Sequence, residues 1–312
     1  MTDPVSTASS DHLLLTRETT EDLSPTCAEV LADRTPDQLR RTAVSVAVTA
    51  ARHVRDARRQ VAGPDGRVPV STTKSSEVDP VTAVDRSSEA LIRRLLTGES
   101  RDAVLGEEDG GDLRADVVTW VVDPIDGTVN FIYGFPASAV SIAATVNGVP
   151  VAAAVADIAR RRVFSACTGG AAVLAHEEDE GAGRVLAPST GPRTLATSLV
   201  GTGFSYDAER RARQAALLGD LLPRIRDIRR AGSAALDLCA VAAGALDAYY
   251  EHGLGPWDHA GGALIAARAG AVVHMPLLTK GYREGVGVVA ASPRISGEIA
   301  GHVLGMPMPT ML

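Results

Sequence analysis

The stretch Trp120-Val121-Val122-Asp123-Pro124-Ile125-Asp126-Gly127-Thr128-Val129-Asn130-Phe131 joins an apolar run to two carboxylates and a Gly-Thr pair. From Val117 to Val122 the chain is short-run, β-branched and apolar, the pattern of a buried strand. Asp123 then falls at the strand's C-terminal end and Asp126 just past it. Pro124 has no N–H to give a ladder, which predicts that the strand stops there. Asp126-Gly127-Thr128 reads as a turn opening a helix, whose first N–H groups have no intrahelical acceptor. Carboxylates at a strand end can hold a hard cation through oxygen. N–H groups at a helix start can hold a phosphate. As turn and cap residues alone, the two acids would do neither.

Around this stretch lies an ordinary globular composition. The 312 residues are 45% hydrophobic and 22% charged, enough for one large domain or two closely packed halves. A net charge of −7 excludes a general basic footprint, so no nucleic-acid partner is expected. Cys27, Cys167 and Cys239 are far apart and odd in number, with neither zinc spacing nor a disulfide framework. That usage fits a reducing compartment and a cytoplasmic location. Leu13-Leu14-Leu15 is too short for a signal peptide and has no basic segment before it. No run reaches the length of a membrane span, so no membrane association is expected.

The elements follow from periodicity and caps. Residues 1–35, rich in Ser, Thr, Asp and Glu, read as a disordered N-terminal tail. Thr35-Pro36-Asp37 starts a helix that runs to about Arg59. Gly63 to Ser71 is a loop. A second helix covers about 82–96, with Asp85 in its first turn, where the dipole favours a carboxylate in any case. Residues 104–111 are a short strand running into an acidic turn. Asn147-Gly148 joins two strands as a hairpin, and residues 162–166 add a third. Residues 176–183 read as an exposed acidic loop. The second half begins near Leu186, with strands at 198–202, 225–228, 246–251, 271–273 and 286–291. Helices are expected at 207–222, 234–243 and 260–267, with a last one after Ser292-Pro293. Alternating helices and strands in both halves argue for layered packing.

Five acids therefore sit at strand ends or helix starts: Asp85, Glu107, Asp123, Asp126 and Asp258. Brought together they would repel one another, and cations are the usual remedy. An all-oxygen set without Cys or His favours Mg²⁺ over zinc. Over residues 38–300 the chain resembles the inositol monophosphatase family of lithium-sensitive, magnesium-dependent phosphatases. The resemblance rests on four blocks in order: Lys74 with Asp79-Pro80-Val81-Thr82-Ala83-Val84-Asp85, Gly106-Glu107-Glu108, Asp123 to Phe131, and Trp257-Asp258-His259-Ala260-Gly261-Gly262. Tyr249-Tyr250-Glu251 looks most like the inositol-phosphate branch.

The resemblance implies an α+β fold, a layered αβαβα sandwich of the inositol monophosphatase and fructose-1,6-bisphosphatase type. It would cover residues 36–312, with subdomains of about 36–185 and 186–312. Glu107, Asp123 and the Ile125 carbonyl would hold one Mg²⁺. Asp123, Asp126 and Asp258 would hold a second, and a third would lean on Glu107. Asp85 and Thr128 would orient the attacking water, and the N–H groups of Gly127 and Thr128 would hold phosphate. Gly232, Ser233, Ala234 and Glu251 would line the substrate side. The implied reaction is hydrolysis of a phosphate monoester, myo-inositol 1-phosphate first, by water and without a covalent intermediate. The alternatives are histidinol phosphate, fructose 1,6-bisphosphate or a 3′-phosphoadenosine nucleotide as substrate, or a partner-binding role on the same fold. A homodimer and inhibition by lithium are also implied. His252 and His259 read as surface or packing residues, Trp120 as core, and Lys74 as a partner for Asp79.

Overall fold

Thr35 opens the longest helix. Its hydroxyl accepts the Gln38 N–H at 3.2 Å, and Gln38 Oε1 accepts the Thr35 N–H at 2.7 Å. This reciprocal box, with Pro36 at the first helical position, fixes where the helix starts. The computed structural model describes residues 11–73, 80–98, 100–179, 183–187, 194–280, 282–306 and 308–310. In chain order the first elements are β1 (His12–Leu15), α1 (Pro25–Leu31), α2 (Pro36–Val61), β2 (Thr72–Thr73), β3 (Pro80–Val81) and α3 (Ala83–Thr97). Next come β4 (Ala103–Gly106), β5 (Thr119–Asp126), α4 (Thr128–Tyr133), β6 (Ala139–Val146), β7 (Val149–Asp157), β8 (Arg162–Cys167), β9 (Val173–His176) and β10 (Arg184–Val185). The second half holds β11 (Leu199–Thr202), α5 (Ala208–Leu221), β12 (Asp227–Arg229), α6 (Ala234–Ala242) and β13 (Ala248–His252). It closes with α7 (Pro256–Ala269), β14 (Val272–Pro276), β15 (Gly287–Ala291) and α8 (Ser296–Leu304).

Two large sheets and three helical layers alternate, which is the αβαβα sandwich, with β2 and β3 as a separate two-stranded pair. One sheet has the order β10-β9-β8-β7-β6-β5-β4, the other β1-β14-β15-β13-β11-β12. Helices α2 and α3 cover the outer face of the first, through a core of Ala47, Val54, Ile92, Val122 and Ile142. Helices α6 and α7 lie between the sheets. Helices α5 and α8 close the far side with Leu217, Leu221, Ile299 and Val303. A helix between two sheets has no wet face, which is why α7 is buried along almost its whole length. It is also built of small residues: a Cβ on Gly262 would stand 2.6 Å from Leu238 Cβ. That contact lets α6 and α7 approach closely in the middle layer.

β5 does not end at Pro124. It continues to Asp126, and its register against β6 shifts between Asp123 and Asp126. Asp123 pairs with Ser141 and Asp126 with Ala139, so β5 spends one residue more than β6 over this span. That is a β-bulge, where a residue without an N–H costs no ladder bond. The bulge also changes the facing. Residues three apart in a regular strand point to opposite faces; the extra residue turns Asp123 and Asp126 to the same side.

The segment before α2 is a second departure. Residues 12–15, inside the expected disordered tail, pair with β14 as an edge strand, and Ser24 caps α1 through the Cys27 N–H. Alternation supplies the reason: Leu15 points inward and is 4% exposed, while the open edge of β14 supplies backbone partners. Arg268 of α7 then pins the crossing. Its buried guanidinium donates to Gly170 O (2.7 Å), Arg17 O (2.9 Å) and the Glu21 carboxylate (2.8 Å). Residues 1–10 lie outside the described residues, as do Lys74 and Asp79. The acidic loop after β9 is exposed at His176, Glu178 and Asp179, as expected, and Glu177 is the departure. The Glu177 side chain is 3% exposed and pairs with Arg55 of α2 at 2.5 Å; Glu180 lies outside the described residues. Replacing Arg268 by Leu strands two carbonyls and a carboxylate, and should cost about 2–4 kcal/mol in urea unfolding, with faster amide exchange in residues 13–15.

Candidate active site

β4 and β5 are parallel neighbours, so their C-terminal ends lie at one edge of the first sheet. Glu107 follows the end of β4, and Asp123 and Asp126 close β5. The third direction comes from α7. Pro256 occupies its first turn, and Asp258 Oδ2 accepts the Gly255 N–H at 2.7 Å, which fixes the carboxylate at the helix start. One oxygen each from Asp123, Asp126 and Asp258 lies within 4.8 Å of the others. All three, with Glu107, Ile125, Gly127 and Thr128, line one cavity of about 300 Å³. Four of the five acids that the sequence left scattered therefore converge on the cavity, and Asp85 is not among its lining residues.

Each carboxylate of the cluster is held by a backbone N–H. Asp123 Oδ1 accepts the Ile125 N–H at 2.9 Å. Asp126 Oδ2 accepts the Ser233 hydroxyl at 2.6 Å and the Ala235 N–H at 2.8 Å. Asp126 thus ties the end of β5 to the start of α6. Burial pushes the Asp126 carboxyl up to about 6, although the Ser233 and Ala235 donors pull the other way. Burial also raises Asp258 well above the ordinary carboxylate range, and the charges of Glu107 and Asp126 add to it. These shifts mark a site in which negative charge is crowded and poorly solvated.

Asp85 does more than compensate a helix dipole. It is fully buried, and its Oδ2 accepts the Thr82 N–H (2.9 Å) and the Thr82 hydroxyl. Its Oδ1 lies 3.1 Å from Thr128 Oγ1, which also lies 3.0 Å from the Ile125 carbonyl. Thr128 has one hydroxyl proton for these two acceptors. Gly127 just before it sits at φ 87°, and a Cβ there would come within 2.8 Å of Ala137 O. Only glycine meets both demands without strain.

The expected substrate side is also present. Gly232, Ala234 and Glu251 line the cavity, while Ser233 is buried against Asp126. Asn130 Nδ2 donates to Ala137 O and Ala231 O, both at 2.8 Å, and joins the signature helix to the Gly232 loop. Glu251 Oε2 accepts the Tyr249 hydroxyl at 2.6 Å. Burial raises the Glu251 carboxyl to about 7; Tyr249 and Arg230 lower it. A Cβ on Gly203 would lie 1.8 Å from Glu251 Oε2, so the carboxylate rests on bare backbone. Sequence reasoning missed the rest of this wall: Phe204, Tyr206, Arg230, Leu254 and Tyr282. Aromatics are only 4% of the chain, yet Phe204, Tyr206, Trp257 and Tyr282 meet here. Aromatics in short connecting loops of an aromatic-poor chain were the available signal.

The clustered donors suit Mg²⁺: three carboxylates, with no nitrogen or sulfur among them. His252 and His259 are buried packing residues rather than surface ones, and burial lowers them to about 4 and about 3. Trp120 is core, its indole N–H donating to Asp102 at 2.9 Å.

A sequence profile described as the inositol monophosphatase family matches residues 36–304. The chain belongs to the inositol monophosphatase family. It is similar to the inositol-1-monophosphatase SuhB of Mycobacterium tuberculosis, 52% identical over 281 residues, covering 86% of this chain and 93% of the relative. The solved structure of Mycobacterium tuberculosis SuhB superposes with a TM-score of 0.71 at 47% identity, covering 86% and 97% of the two chains. The Nus factor SuhB of Vibrio cholerae is 35% identical over 237 residues, 75% of this chain and 86% of that protein. As a member of the inositol monophosphatase family the chain is a phosphoric monoester hydrolase.

The raised Asp126 predicts a pH signature in chelator. A carboxyl with a raised folded pKa contributes full stability below its unfolded value near 4, and that stability is lost as pH rises through about 6. Asp126→Asn removes the titration, so between pH 4 and pH 7 the variant should gain about 2 kcal/mol relative to the parent in denaturant unfolding. A pH-independent difference would contradict the burial of this charge.

Proposed function

We propose that the chain hydrolyses myo-inositol 1-phosphate to inositol and phosphate, with Mg²⁺ required and water as the nucleophile. The observation that carries this reading is one cavity lined by Glu107, Asp123, Asp126 and Asp258 on one side and Glu251 on the other. Glu107, Asp123, the Ile125 carbonyl, Asp126 and Asp258 would hold Mg²⁺, which neutralises phosphoryl charge and lowers the pKa of water. Two ions sharing Asp123 fit this set. The three cysteines are buried and outside the cavity lining, so none offers a thiol nucleophile. The Thr128 hydroxyl, held between Asp85 and Ile125, is suited to orient water rather than to accept phosphate. Backbone N–H groups of Gly127 and Thr128 would hold the phosphoryl oxygens.

The alcohol is read from the other wall. Glu251, braced by Tyr249, offers an acceptor to vicinal hydroxyls, and Gly232 and Ala234 leave room for a ring beside it. Arg230 on the same wall repels the cationic histidinol and partly offsets the Glu251 charge, so the wall suits a neutral polyol better. The test is phosphate release from inositol 1-phosphate, histidinol phosphate, fructose 1,6-bisphosphate and 3′-phosphoadenosine nucleotides, with Mg²⁺ and with chelator. Inositol 1-phosphate should give the highest kcat/KM, and only with Mg²⁺; preference for histidinol phosphate would overturn the substrate. Asp126→Asn should lose at least about 10³-fold in kcat with its fold intact. Glu251→Ala should lose about 10–100-fold in kcat/KM for inositol 1-phosphate, the worth of a charged hydrogen bond. Lithium should inhibit; insensitivity at high concentration would count against the shared mechanism.

A further inference from the structure

The turn that carries Glu107 is wrapped around another carboxylate. Glu89 lies in the middle of α3, is 0% exposed, and belongs to none of the four motif blocks. Its Oε2 accepts the Glu108 N–H at 2.8 Å, and its Oε1 accepts the Asp109 N–H at 3.0 Å and Arg93 Nε at 2.8 Å. Two successive backbone N–H groups immediately after Glu107 therefore close on one buried anion. Arg93, one helical turn on, completes the grip by donating to Val104 O at 3.3 Å and Gly110 O at 2.5 Å. The turn is also closed on itself by the Gly106 N–H to Gly110 O at 2.9 Å. Gly106 faces the same carboxylate: a Cβ there would stand 2.3 Å from Glu89 Oε1. Glycine at 106 is what lets the turn sit on Glu89.

The geometry points to Glu89, with Arg93, as the positioning pair that sets the Glu107 carboxylate for cation binding. The Glu107 N–H is anchored to Val122 O at 3.2 Å, but the turn after it carries a carboxylate repelled by the charge it must join, and Glu89 is what grips that next part of the turn. Glu89 is not among the residues that line the cavity and holds the turn by backbone, so its carboxylate is taken up by N–H donors and Arg93. Its role is to fix the orientation of a ligand it does not touch, as outer partners of metal ligands do. Oxygen ligands to Mg²⁺ must be placed closely, because this ion demands near-octahedral geometry.

This inference rests on the reading of the cavity as a Mg²⁺ site, and its test separates the two. Mg²⁺ affinity is measured by calorimetry on the full chain, without substrate, for the parent, Glu107→Gln, Glu89→Gln and the double variant. Amide exchange at Glu108 and Asp109 is read in the metal-free protein. Glu89→Gln should weaken Mg²⁺ binding about 10–100-fold, speed exchange at both amides, and lose nothing further in the Glu107→Gln background. Raised Mg²⁺ should restore kcat to Glu89→Gln with KM for substrate unchanged. Parental affinity in a folded Glu89→Gln protein overturns the inference, as does an additive loss in the double variant. If Glu89→Gln fails to fold, Arg93→Lys decides by the same readings: unchanged affinity overturns the inference, and weakened affinity that depends on Glu107 supports it. A parent that binds no Mg²⁺ overturns the cavity reading itself.

Discussion

Crowding of negative charge governs this molecule. Three carboxylate oxygens lie within 4.8 Å of one another, from the end of one strand and the start of a helix in another layer. Such an arrangement is unfavourable for the bare chain, and burial makes it more so. The fold must therefore supply enough rigidity to hold the acids together. It does so through short backbone bonds: Ile125 N–H to Asp123, Ala235 N–H to Asp126, Gly255 N–H to Asp258. Asp123 and Asp258 are clamped by the chain two or three residues away, whereas Asp126 is clamped by the start of α6 more than a hundred residues on, so the site is held by local and long-range bonds together.

The bulge at Pro124 and the helix α7 are the two architectural devices that make the crowding possible. The bulge turns Asp126 to the side of Asp123. α7 is buried between the sheets and points its N-terminal turn at the same edge. Small residues along α7 and the close contact with Leu238 set its depth. The layer order is thus a means of bringing the first and last motifs, more than a hundred residues apart, to one cavity.

The opposite wall is built differently. Glu251 comes from the second sheet, and its partner Tyr249 from the same strand, two residues away and on the same face. Aromatic loop residues surround it. One wall of the cavity is thus crowded acids at strand and helix ends, and the other is a sheet carboxylate ringed by loop aromatics.

Much of the site was legible in the chain itself. Caps, β-branched runs and the Asn147-Gly148 turn locate most elements, because those signals are local in origin. The acids were legible too, since carboxylates at strand ends and helix starts suit a hard cation wherever they meet. What local signals could not carry was contact. The strand at residues 12–15 exists because β14 offers an open edge, and Glu177 is buried because Arg55 stands opposite it. Asp85 became part of the site through Thr128, and Glu89 became part of it through two backbone amides. The sequence by itself determined which groups could bind metal and phosphate and the order in which they come. Only the tertiary structure decided that they face one another, because facing depends on a bulge, a sheet edge and a buried helix whose positions are set by packing between distant segments.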